Sequence, residues 1–214
     1  MKFHNLRNPT QHKQKQRQML RGIAVFTLLA LVFSVLSFHA RAAGVRREVL
    51  RLHVVAHSNT AADQQAKYAV RDAILYHAEA LFNGSLRINE AQIAILPRIE
   101  ELEQIAQTAL QNLGRNHTVH ITIGTSFFGT RSYGDLTFPA GQYQALQIFL
   151  GDSTGENWWC VMFPPLCLPA ASRTVTLDAV LTGGQLRLVQ ANPRFEIRFR
   201  IVEVWESFAE RLRR

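Results

Sequence analysis

The sequence predicts an α+β fold: a single domain with a mixed or antiparallel sheet packed against two or three helices, preceded by an N-terminal signal sequence. Three observations carry this reading. Helical apolar stripes crowd into residues 60–113, alternating strand patterns follow from 117 onward, and a 16-residue run without a charge lies near the amino terminus. The chain has 214 residues, 47% of them hydrophobic and 19% charged, which suits a globular protein rather than a disordered one.

The amino-terminal segment, 1–42, reads as a basic region followed by a signal peptide or signal anchor. It holds Lys2, Arg7, Lys13, Lys15, Arg17, Arg21 and Arg41 and no acidic residue. Its uncharged run, "IAVFTLLALVFSVLSF" (23–38), would span roughly 24 Å as a helix, short of the ~30 Å hydrocarbon core. Small residues around Ala40-Arg41-Ala42 place a candidate cleavage point between Ala42 and Ala43. The alternative is an uncleaved anchor with its positive end in the cytoplasm. Either way residues 43–214 are expected to be exported and to touch the membrane only through this segment.

The formal net charge of +8 belongs mostly to that segment, since the rest of the chain carries 17 basic against 16 acidic residues. A polyanion-binding domain needs its own basic face, so nucleic acid is not an expected partner.

The elements of the body follow in order. "REVLRLHVVAHS" (47–58) is rich in β-branched residues and reads as a strand. Thr60 with Asp63 gives a capping-box-like helix start, and Ala66, Val70, Ala73, Ile74, His77 and Leu81 recur at helical spacing up to an Asn83-Gly84 stop. Pro97 suits a first helical position, followed by the stripe Ile99, Leu102, Ala106, Ala109, Leu113. "HTVHITI" (117–123) alternates with Val119, Ile121 and Ile123 on one face, and "YQALQIFLG" (143–151) does so with Leu146, Ile148 and Leu150. "NWWCVMF" reads as the neighbour of that strand. "PRFEIRFR" (193–200) alternates again, and 201–214 closes as an amphipathic helix through Ile201, Val204, Trp205, Phe208 and Leu212.

One stretch invites a catalytic reading. Gly151-Asp152-Ser153-Thr154-Gly155 fits the G-x-S-x-G nucleophile elbow, which requires a strand, a sharp turn and then a helix. A strand precedes Gly151, but Trp158-Trp159-Cys160-Val161-Met162-Phe163 has no helical period, and every histidine precedes residue 121. The expectation is a hairpin joining two strands through "GDSTGEN", with no catalytic residue. A secreted hydrolase using Ser153 or Cys160 is the competing class, and Cys160 would need a base that the sequence does not nominate.

His53 and His57 share a strand face, with Asp63 close in sequence. Two imidazoles without an evident third ligand do not make a zinc site, so no metal and no cofactor is expected. The two cysteines, Cys160 and Cys167, both lie in the exported part, and Pro164-Pro165 favours a turn between them. A disulfide closing this ring would contribute roughly 2.5 kcal/mol in the loop-entropy model; two buried thiols are the alternative.

The segments "RLHVVAHSNTAADQQAKYAVRD" (51–72), "YGDLTFPAGQYQALQIFLG" (133–151), "NWWCVMFPPLC" (157–167) and "RFEIRFRIVEVWE" (194–206) together resemble the stage II sporulation protein R family, with the likeness extending over nearly all of 49–206. The family commonly has Asn-Ser-Asp where this chain has His57-Ser58-Asn59, and an acidic Pro-Glu-Asp where it has Ala61-Ala62-Asp63. The resemblance implies an exported signalling protein of endospore formation rather than an enzyme. It implies secretion from the forespore into the intermembrane space. There such a protein activates a membrane-embedded aspartic protease that processes a mother-cell sigma factor precursor. Trp158 and Trp159 are the candidate contacts with that partner, because interfaces centre on aromatic anchors. Successive strand residues point to opposite faces, so one of the two is expected in the core. A structural envelope protein is a third reading.

Overall fold

The protein is described from a computed structural model, which covers residues 9–82, 87–167 and 176–190. Two units divide the chain, Met1–Ala40 and Arg41–Arg214. Helix α1 (Pro9–Arg47) is longer than its uncharged run, because the basic residues before and after that run continue the helix. Its 39 residues correspond to about 58 Å at 1.5 Å per residue. Within the first unit its large apolar side chains from Met19 to Leu36 are exposed, and the helix is long and apolar enough to cross a membrane, with an 18-residue window of mean hydropathy 2.3. Ala42 and Ala43, the candidate cleavage pair, are helical in the second unit, where Ala42 and Val45 are fully buried.

The second unit is a mixed α and β structure around a four-stranded sheet of order β2-β5-β1-β6. Strand β1 (Leu50–Val55) lies inside the sheet, parallel to β5 (Gly141–Leu150) and antiparallel to β6 (Asn157–Phe163). Strand β2 (Val119–Phe128) runs antiparallel to β5 on its other side. A small hairpin, β3 (Arg131–Tyr133) with β4 (Leu136–Phe138), forms a separate two-stranded sheet.

This order corrects the expected hairpin. Strands β5 and β6 are not neighbours, because β1 is inserted between them, and residues 151–156 instead cross over the end of β1. A parallel pair such as β1 and β5 needs a long crossover, and the helices and β2 supply it. Sequence adjacency suggested the wrong partner; all six residues of β1 are buried, as befits an inner strand covered on both faces.

Helix α2 (Ala61–Leu81) begins as expected. The Thr60 hydroxyl accepts from the Asp63 amide (3.3 Å), and the Gln64 amide donates to the Thr60 carbonyl (3.0 Å). Its buried stripe is Ala66, Val70, Ile74, Leu75 and Ala78, with Phe82 buried just beyond its end; His77 is exposed rather than inward. The expected Asn83-Gly84 stop lies outside the described residues. Helix α3 (Ile88–Ile95) had no counterpart in the sequence reading. It is short, buries only Ala91 and Ile95, and runs through a 3-10 turn containing Pro97 into α4 (Ile99–Gln111). In α4 the inward residues are Leu102, Ala106 and Leu110, so the stripe continues through Leu110 while Leu113 is exposed.

Helices α2, α3 and α4 pack on one face of the sheet against Leu50, Leu52, Val54, Ile121, Leu146, Ile148, Leu150, Cys160 and Met162. Two further helices, α5 (Leu177–Val180) and α6 (Gly183–Val189), follow β6, with α6 beside β4. The expected strand 193–200 and helix 201–214 lie outside the described residues.

Candidate functional site

The loop that looked like a nucleophile elbow is a strap across the end of β1. The Thr154 amide and hydroxyl both donate to the His57 carbonyl (3.2 and 2.8 Å), and the Gly155 amide donates to the Ala56 carbonyl (3.0 Å). Further along, the Glu156 amide donates to Oδ1 of Asn59 (2.7 Å), and Lys67 Nζ donates to the Glu156 carbonyl (3.1 Å). Lys67 is nearly inaccessible, and burial pulls its pKa below the ordinary value.

The two glycines of the motif serve this crossing. Gly151 has φ +53°, and a Cβ there would strike the His57 imidazole; a Cβ on Gly155 would strike the Ser58 carbonyl. Ser153 sits at φ 54°, with its hydroxyl directed at the carbonyl oxygens of Leu150 and Gly151, both at 3.4 Å. Strand β6, not a helix, follows the loop. The elbow geometry is therefore not met.

Under the strap, three side chains from separate segments converge. Nε2 of His117 lies 3.0 Å from Oδ1 of Asp63, and the His57 and His117 rings stack with centroids 3.9 Å apart. The Asp152 amide donates to Nδ1 of His57 (3.0 Å). On the other oxygen, Oδ2 of Asp63 accepts from Ser58 (2.5 Å) and Thr60 (2.9 Å). The Ser58 bond leads in holding the Asp63 carboxyl down at about 2, with Thr60 and His117 adding to it and burial opposing. His117 was not singled out in the sequence, where it is one of eight histidines with no local pattern around it.

The tryptophans turn to opposite faces of β6. Trp158 faces the helices, with Tyr68 edge-on at 5.5 Å and the Arg71 guanidinium 4.4 Å from its ring centroid. Trp159 stacks on His53 at 3.9 Å and meets Phe128 edge-on at 4.7 Å. Both are half-buried, and both line an open cleft with Arg131, Tyr133, Glu156 and Asn157. His53 and His57 do not act together: His53 belongs to this aromatic layer, where burial lowers its pKa, and His57 to the strap.

Beside Trp159 lies a buried cation. Arg51 is fully inaccessible, with its guanidinium carbon 4.4 Å from the Phe128 centroid and 5.0 Å from that of Tyr143. Its Nε donates to the Cys160 carbonyl (2.9 Å) and Nη2 to the Tyr133 hydroxyl (2.7 Å), which in turn donates to the Trp159 carbonyl (3.1 Å). Burial lowers the Arg51 pKa and raises those of Tyr133 and Tyr143. These contacts fix the backbone of β6 at the tryptophan pair. Cys160 is joined to Cys167 by a disulfide with Cα atoms 6.4 Å apart, across the turn at Pro164-Pro165.

Fold and site together define an α+β domain that follows an apolar amino-terminal helix, with an aromatic strand and a strapped histidine–carboxylate cluster. The chain belongs to the stage II sporulation protein R family, which matches residues 46–173. It is 36% identical over 120 residues to stage II sporulation protein R of Bacillus subtilis (strain 168). That similarity covers 56% of this chain and 54% of the relative, so the chain spans about half the length of the curated relative it matches. No solved structure matches. The family is one of sporulation proteins.

Proposed function

We propose that this protein is the exported signal of endospore formation that activates a membrane-embedded aspartic protease across the intermembrane space. Activation triggers processing of a mother-cell sigma factor precursor. The observation that carries the reading is the family match over residues 46–173. The apolar amino-terminal helix is consistent with export, either as a signal sequence or as an anchor. The exported domain is then 43–214, and amino-terminal sequencing distinguishes cleavage before Ala43 from retention of the helix.

The protein acts here as a ligand rather than an enzyme. A ligand activates its receptor by binding the active state more tightly than the inactive one. The open edge of β6 is the proposed contact, with Trp158 and Trp159 reaching it from opposite faces of the sheet and Arg71 and Tyr68 beside Trp158. Deletion of the gene in its spore-forming host, with sigma-precursor processing followed by immunoblot, tests the reading. The precursor should persist uncleaved. Normal processing in the deletion strain would overturn it.

A further inference from the structure

We infer that His57, Asp63 and His117 form a binding site for one divalent transition-metal ion, zinc above all, beneath the strap at the end of the sheet. The ligand atoms of these three residues all lie within 4.8 Å of one another. Each comes from a different segment: His57 from just beyond β1, Asp63 from the first turn of α2, and His117 from the lead-in to β2. Two imidazoles and one carboxylate are a donor set suited to zinc, which keeps water or a further side chain in its remaining position.

The spacing fits an ion taking the place of a proton. Zinc binds imidazole nitrogen at about 2.0–2.1 Å and carboxylate oxygen at about 2.0–2.2 Å, so two ligands on a tetrahedral ion sit about 3.3–3.5 Å apart, a few tenths of an ångström wider than a hydrogen bond. Nε2 of His117 and Oδ1 of Asp63 are 3.0 Å apart. The carboxylate is already oriented, because Ser58 and Thr60 occupy Oδ2 and leave Oδ1 toward the imidazoles. Coordination through His57 exchanges the hydrogen bond that its Nδ1 accepts from the Asp152 amide for a bond to the metal, and the stacked rings splay as it forms. Water would take the remaining position.

One group competes. Arg115 Nη1 lies 3.8 Å from Oδ1 of Asp63, but its side chain is about a third exposed and can withdraw into solvent. A bound ion would tie the β1–α2 turn to the start of β2. Binding to the folded state alone stabilises that state by mass action.

The test uses the full chain in detergent micelles, titrated with Zn²⁺ by calorimetry and with Co²⁺ by visible absorption. Wild-type protein should take up one zinc ion per chain in the micromolar range or tighter, and zinc should raise its melting temperature. His57→Asn keeps a polar side chain on a partly exposed turn and so should fold normally. It and His117→Ala should each weaken zinc binding about tenfold or more and remove the thermal shift. His120→Ala, on β2 beside Glu103, should leave both unchanged. Absence of zinc binding by the wild type in that range, or binding that persists unchanged in both His57→Asn and His117→Ala, would overturn the assignment.

Discussion

His57 and His117 meet face to face because of the sheet order, not because of any nearness in the chain. Val55, at the end of β1, is paired with Phe149 of β5, and Val119, at the start of β2, is paired with Leu150. Strand β1 runs parallel to β5 and β2 antiparallel to it, so the tail of one and the head of the other leave the sheet at the same end. Two residues beyond Val55 and two before Val119, the imidazoles stack. Asp63 then enters from the first turn of α2 and closes the cluster.

The strap makes opposite demands on two neighbours in the G-x-S-x-G stretch. Gly151→Ala places a Cβ at positive φ, costing about 1–2 kcal/mol, and drives it into the His57 ring as well. Ser153→Ala removes a half-buried hydroxyl whose contacts are long and should change stability by less than about 0.5 kcal/mol. Urea unfolding should therefore separate the two variants clearly. Loss of sporulation by Ser153→Ala at normal protein level would instead argue for hydrolase chemistry at this serine.

Asp63 should make the fold sensitive to acid. Its folded pKa, about 2, lies below the ordinary 3.8, so the stability it contributes is present above the ordinary value and is lost as pH falls through the folded one. The gap in urea midpoint between wild type and Asp63→Asn should be full near neutral pH and should narrow between about pH 4 and pH 2. The cause is hydrogen bonding, led by Ser58, so Ser58→Ala should move the acid transition upward. A gap that stays constant through this range would contradict the assignment.

The disulfide should be worth a moderate amount. The eight-residue ring gives roughly 2.5 kcal/mol in the loop-entropy model, and Cys160 sits in a core that other strands also hold. Cys160→Ser and Cys167→Ser should lose similar stability, and the double variant should be little worse than either. Under non-reducing conditions the intact mass should be lower than that of the dithiol by two hydrogens. Alkylation of both thiols without prior reduction would refute the bond.

Strands β2 and β5 were legible because each carries its own period, Leu146, Ile148 and Leu150 alternating inward whatever their neighbours are, while β1 was legible from its β-branched residues. Pairing is not written in that period. The short, glycine-framed link 151–156 suggested a hairpin, and only the tertiary insertion of β1 shows that its glycines clear His57 and Ser58. Helix α3 escaped notice because eight residues give too few turns for a stripe. The site was half visible: His57 and Asp63 were noticed together, while His117 carries no local signal and reaches them only through the sheet. Arg51 looked like an ordinary strand residue, and its burial depends on Phe128, Tyr133 and Tyr143 arriving from the far face.

The proposed function is that this protein switches on a membrane protease. It is tested most directly by co-expressing the protease and the sigma factor precursor in a non-sporulating bacterial host, with and without this chain. The account predicts cleaved sigma factor only when the chain is present, and loss of cleavage when the chain lacks residues 1–42 and stays in the cytoplasm. Cleavage that proceeds equally without the chain, or no cleavage when all three proteins are present and correctly localised, would contradict it.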